Sequence, residues 1–166
     1  MSDRGEPFRV PAVRFLRVLP GPPARVWEYL TDCRKLTAWF GDEGSIEPRE
    51  GGAVRLMRGH VRGVVTQWKP HRRLAYTWNV FGADETESAY PESYLTLDLQ
   101  PRGSQVELTL THLPVLERFE PQNLMGWHTF LDILGATARG EPLEERSAYM
   151  RRNAALYGVD LDNLQR

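Results

Sequence analysis

The chain has 166 residues, of which 41% are hydrophobic and 26% charged, with a net charge of −1. That length is enough to bury a real core within one domain, and the near-neutral charge excludes the global basic field of a nucleic-acid or acidic-membrane binder. The single cysteine, Cys33, excludes an intrachain disulfide, and no apolar run approaches the roughly 18 residues of a membrane span.

A reducing cytoplasm is therefore the expected compartment, with Cys33 as a small packing residue. Residues 1–12 are polar and proline-containing and read as a flexible lead-in. VRFLRVL (13–19) predicts a strand with Val13, Phe15 and Leu19 on one face and Leu16 and Val18 on the other. Pro20, Pro22 and Pro23 stop it and suit the first turn of a helix, ARVWEYL, with Val26, Trp27 and Leu30 on one side. Thr31-Asp32 then offers a cap for a second short helix through Leu36 to Phe40.

From Gly41 to Leu113 the hydrophobic period becomes two. AVRLM (53–57), VRGVVTQW (61–68), LAYTWNV (74–80), YLTLDLQ (94–100) and QVELTLTHL (105–113) are separated by short turn segments. Such spacers predict an antiparallel meander. The longest of them, FGADETESAYPE (81–92), carries Asp84, Glu85, Glu87 and Glu92 and no basic residue, and reads as a mobile flap.

After Pro121 the helical period returns and runs to about Gly140. At 100° per residue, Leu124, Trp127, Leu131, Leu134 and Ala138 share an arc of about 80°, widened by Phe130 and Ile133. Gly126 lies off that arc, where a missing side chain would admit another backbone, and His128 sits on its border, one turn before Asp132. A last helix is expected within 143–157. The fold class that follows is α+β: a curved antiparallel sheet wrapped around the long C-terminal helix, with two short helices after the first strand.

Strand parity turns Leu74, Tyr76 and Trp78, then Leu95, Leu97 and Leu99, then Val106, Leu108, Leu110 and His112 towards one interior. That interior is either a solid core in which Tyr76, Trp78 and His112 find hydrogen-bond partners, or an apolar cavity with a few convergent polar groups. The sequence has no cluster at metal-ligand spacing, so neither metal nor cofactor is expected.

Several of these stretches together resemble a known family. VWEYLTD (26–32), LTAWF (36–40), IEPREGGAVRL (46–56), GVVTQWKPHRRLAYTW (63–78), LTLDLQPRGSQVELTLTH (95–112) and MGWHTFLDIL (125–134) are similar to the activator of Hsp90 ATPase homologue 1-like proteins of the START-like, SRPBCC superfamily. The resemblance covers roughly 13–140 and implies a helix-grip domain there, often with a cavity for an apolar ligand. Residues 141–166 form an appendix beyond that core, which either covers an opening or packs against a second copy.

The leading expectation is a non-enzymatic domain binding a small apolar or aromatic molecule, lipids included, between sheet and long helix. Its expected wall is Trp39, Phe40, Tyr76, Trp78, Leu97, Leu110, Trp127 and Leu131, with His112 and Tyr76 as polar handles. One alternative is a cyclase- or hydrolase-like enzyme using His112, with Tyr76, for acid–base work on a bound hydrophobic substrate. The other is an interaction module of co-chaperone type. Besides the ligand, a second copy of the chain is a candidate partner; nucleic acid is not.

Overall fold

The computed structural model describes residues 3–165. Seven antiparallel strands form one sheet: β1 (Val13–Pro20), β2 (Ser45–Ile46), β3 (Ala53–Leu56), β4 (Val61–Lys69), β5 (Arg73–Val80), β6 (Ser93–Arg102) and β7 (Gln105–Leu113). Their spatial order is β1-β7-β6-β5-β4-β3-β2, so the first strand closes against the last. Two short helices, α1 (Pro23–Thr31) and α2 (Cys33–Phe40), follow β1. The long helix α3 (Glu120–Ala138) and then α4 (Arg146–Tyr157) follow β7.

The alternating pattern explains the sheet's two faces. Leu95, Leu97, Val106, Leu108 and Leu110 are buried on the inner face, while Leu16 and Val18 of β1 stay about half exposed on the outer one. β1 pairs β7 from Val13↔His112 to Pro20↔Gln105, which keeps every inward residue of β1 over the interior. The β6–β7 hairpin turns at Gly103, whose φ of 62° suits a residue without Cβ.

Helix starts are also local. Pro23 opens α1, and the Asp32 carboxylate accepts from the Arg34 N–H to cap α2. Arg25 reaches from α1 to the Ala138 carbonyl at the end of α3, at 2.9 Å. Arg146, at the start of α4, donates to the Trp39 carbonyl near the end of α2, at 2.8 Å. Each arginine satisfies a carbonyl that the helix end leaves open.

Helix α3 is buried almost all round. Trp127, Leu131, Leu134 and Ala138 join the core, and the other side is covered by α4 through Tyr149, Asn153 and Ala154. Asn153 donates to Thr129 Oγ1 and Asp132 Oδ2, at 3.2 and 3.0 Å. His128 approaches Asp132 within 3.5 Å and exchanges a 2.8 Å hydrogen bond with the Tyr157 hydroxyl. The appendix thus seats its helix on α3 through a polar joint.

The lead-in segment is irregular and largely exposed from residue 3, held where Val115 N–H meets the Pro11 carbonyl; Met1 and Ser2 lie outside the described residues, as does Arg166 of the appendix. Segment 81–92 forms no strand or helix, yet it is tied down. Ala89 N–H donates to the Val80 carbonyl, Phe81 N–H to the His60 carbonyl and Asn79 to Glu92.

At Gly63, β4 has no room for a side chain against β5. A Cβ built there lies 1.9 Å from the Thr77 carbonyl oxygen, and Thr77 Oγ1 accepts from the neighbouring Val64 N–H. Gly63→Ala is therefore expected to force the two strands apart and cost about 3 kcal/mol or prevent folding, as read by urea denaturation. Near wild-type stability would show that the strands have slack at this point.

Candidate functional site

The interior between sheet and α3 is filled by rings. Trp78 from β5 meets Trp127 from α3 at 5.0 Å between centroids and His112 from β7 at 5.4 Å. Phe40, at the end of α2, packs against Phe130, Trp127 and Trp78, and Trp39 lies behind Phe40 at 3.9 Å. Edge-on and tilted contacts of this kind suit the ring quadrupoles.

Within that cluster runs one buried hydrogen-bond relay. The Trp127 indole N–H donates to His112 Nδ1 at 3.0 Å. An indole is only a donor, so Nδ1 must be the bare, accepting nitrogen and the proton of the neutral ring sits on Nε2. His112 Nε2 then donates to Ser93 Oγ at 2.7 Å, and the Ser93 hydroxyl donates to the Trp78 carbonyl at 3.3 Å. The chain of donors has one direction and no loose end. Burial pushes the His112 ring down to about 4, because a charged imidazolium there would be desolvated with no carboxylate beside it.

The Tyr76 hydroxyl is different. It is buried without a hydrogen-bond partner, and burial pushes its ionisation above the ordinary phenol range. Its ring stacks on Trp78 with centroids 6.5 Å apart and planes 18° apart.

An opening remains where the flap, the 3-10 turn Glu117–Phe119 and the first turns of α3 meet. There a cleft of about 210 Å³ is lined by Trp78, Tyr90, Phe119, Asn123, Trp127 and Phe130, with Gly126 in its wall. A smaller recess of about 80 Å³ shares Trp78, Tyr90, Phe119 and Asn123 and reaches Ser93 and His112. Gln122 and Gln165 close the rim by bonding each other through the Gln165 backbone, so the appendix borders the opening.

Gly126 departs from expectation. No backbone approaches it: an added Cβ would meet no atom within 4 Å. The missing side chain leaves space in the cleft instead of making a packing contact.

Of the nine expected site residues, Trp78 and Trp127 line the cleft, and His112 lies at the recess. Phe40 backs Trp78 from behind. Trp39, Leu97, Leu110 and Leu131 are sealed in the core, as is Tyr76 beneath Trp78. Tyr90, Phe119, Asn123, Gly126 and Phe130 were not among the nine. Strand parity could not find them, because they lie on a loop, a turn and the border of a helical arc. Ser93 was legible only once Trp78↔Ser93 pairing was known.

A larger concavity, about 850 Å³, lies at the opposite end of β5, between the β4–β5 turn and the start of α1. Its basic residues Lys69, His71 and Arg72 are solvated, and Arg73 is already paired with Asp98 at 2.6 Å. Its lining contains no Trp, Tyr or Phe side chain, so the smaller, aromatic-walled cleft is the candidate site. Among the described residues no group of His, Cys, Asp or Glu is placed to hold a metal ion, and no helix is long and apolar enough to cross a membrane.

Two predictions test this electrostatic picture. The folded His112 titrates below its unfolded value, so between those two values the unfolded chain binds the extra proton. Its stabilising contribution is complete above about pH 6.5 and falls by about 3 kcal/mol as pH drops towards 4. Urea titrations from pH 7 to 4 should show this loss in wild type and a smaller one in His112→Gln; identical profiles would contradict it. Tyr76→Phe removes a buried hydroxyl without a partner and should raise stability by about 1 kcal/mol, whereas a loss of that size would show that the hydroxyl is bonded.

No curated protein sequence matches the chain. Among solved structures, CalU16 from Micromonospora echinospora is similar at 27% identity and TM-score 0.71, over 89% of this chain and 86% of its own. DynU16, a protein in the dynemicin biosynthetic locus, is similar at 25% identity and TM-score 0.67, over 79% of this chain and 48% of its own. The Aha1 dimer from Colwellia psychrerythraea matches at 18% identity and TM-score 0.63, over 76% of this chain and 95% of its own, a likeness of fold alone. These likenesses bear out the helix-grip architecture, a curved sheet closed around one long helix. A family model described as Activator of Hsp90 ATPase homolog 1-like protein matches residues 20–139, and the chain belongs to that family.

Proposed function

We propose that this protein binds a small, neutral, apolar or aromatic molecule in the cleft between the flap, the 3-10 turn and α3, and that it does so without catalysis. The observation that carries this reading is an aromatic-walled opening in which Gly126 leaves room beside Trp127 and Phe130. An engineered dry cavity of about 150 Å³ takes up benzene, so a cleft of about 210 Å³ suits a ligand built on one or two rings. Burying about 200 Å² of such a ligand is worth about 5 kcal/mol before the costs of association, which corresponds to weak but specific binding. The four carboxylates of segment 81–92 disfavour an anionic ligand at its edge.

The His112 relay favours binding over acid–base chemistry. A general base needs a free lone pair aimed at a substrate, and the only bare nitrogen of His112 already accepts from Trp127. Tyr76 has no neighbouring charge to draw off its proton, and burial alone holds it neutral. The origin of DynU16 in a biosynthetic locus is in keeping with a small-molecule partner for this chain as well.

The test is ethylbenzene titrated into the protein, followed by backbone amide NMR. Saturable shifts are expected at Tyr90, Asn123, Gly126 and Trp127. Gly126→Leu should weaken binding by about tenfold or more while holding or raising stability, since glycine in a helix interior costs about 1 kcal/mol. Undiminished binding by Gly126→Leu, or shifts only at the basic groove, would place the ligand elsewhere.

A further inference from the structure

We infer that Tyr76 is the polar recognition group of this site, and that the preferred ligand carries a hydrogen-bond acceptor, a carbonyl or ether oxygen, on its apolar body. This rests on the cleft reading above and adds the chemistry of the ligand to it.

The argument is one of supply and demand for hydrogen bonds. In the cleft and recess, the donors of Trp127, His112 and Ser93 are all committed to the relay. One Asn123 amide N–H donates to the Phe119 carbonyl and one Gln122 amide N–H to the Gln165 carbonyl, so each amide keeps a second N–H at the rim. Those spare N–H groups and the Trp78 indole N–H belong to side chains that solvent still reaches, so none of them is a buried donor without a partner. One layer further in, the Tyr76 hydroxyl is buried with no partner at all. A buried donor left unmet is the rarer and costlier kind of orphan, and each such group in a folded protein calls for an explanation.

Position links this hydroxyl to the cleft. Tyr76 and Trp78 project from the same face of β5, two residues apart, with nearly parallel rings. Trp78 forms the wall shared by the cleft and its recess and is only partly buried, whereas Tyr76 is 1% exposed. The Trp78 indole is therefore the single layer between the cleft and the Tyr76 ring. Rotation of Trp78 about its side-chain torsions, with β5 unmoved, brings an entering ring against Tyr76 and Trp127. The ligand ring replaces the contacts that Trp78 gives up with Trp127 and His112, and its acceptor takes the Tyr76 O–H. An anionic acceptor is disfavoured, because the site holds no cation to balance it.

Ethylbenzene and acetophenone test this directly, since they differ chiefly in a methylene replaced by a carbonyl. Binding of each to wild type and to Tyr76→Phe is measured by isothermal titration calorimetry, with unfolding midpoints confirming that the variant is folded. Tyr76→Phe should weaken acetophenone by about five- to tenfold and change ethylbenzene by less than about twofold, the worth of one buried hydrogen bond. A purely structural role for Tyr76 would shift both ligands together. If the variant binds acetophenone as tightly as wild type, or loses both ligands equally, Tyr76 is not the recognition group and the cleft reading stands. If wild type binds neither ligand, or Gly126→Leu leaves both unaffected, the cleft reading falls and this inference with it.

Discussion

A single directed line of hydrogen bonds, Trp127 to His112 to Ser93 to the Trp78 carbonyl, ties the long helix to three strands of the sheet at once. In a low-dielectric interior each of these groups would be costly if left unpaired, so the line holds the helix at one height and one rotation against the strands. It also fixes the chemistry. Because the indole can only donate, the imidazole is held neutral in one tautomer, with both nitrogens engaged. The relay therefore serves register and orientation.

The aromatic packing follows from that anchor. With the Trp127 indole anchored and the Trp78 backbone carbonyl engaged, Phe40 and Phe130 pack around the two indoles. What stays open is the end where regular structure stops. There the flap meets the 3-10 turn through the edge contact of Tyr90 on Phe119, 5.1 Å between centroids, and α3 presents a glycine instead of a side chain. The helix-weakening Gly-Trp-His near the start of α3 thus divides its labour three ways. Gly126 opens the cleft, Trp127 anchors the helix, and His128 turns away to join α4 through Tyr157.

Most of the fold was legible because it is carried by periodicity. Alternation in 94–100 and 105–113 named the inner face, and the arc from Leu124 to Ala138 named the side of α3 that meets the sheet. The inward parity of His112 was also readable, but its role was not, since its partners Ser93 and Trp127 come from other elements. The cleft was less legible still. Tyr90 and Phe119 sit on a loop and a turn where no period applies, Asn123, Gly126 and Phe130 lie beside the apolar arc of α3, and the absence of a side chain at Gly126 carries no sign of whether backbone or empty space will take its place. The appended helix hid a further fact: α3 looks amphipathic from its apolar arc, yet α4 buries its other side through Asn153 and Ala154.

The most direct test of this account is a long-range ¹H–¹⁵N correlation spectrum of the histidine rings at neutral pH. His112 is predicted to show an unprotonated, hydrogen-bonded Nδ1 and a protonated Nε2, with no change until the solution is well below the ordinary imidazole range. A ring protonated on Nδ1, or one charged near neutrality, would contradict the relay. The closed interior and the placement of the ligand at the cleft would then both have to be given up.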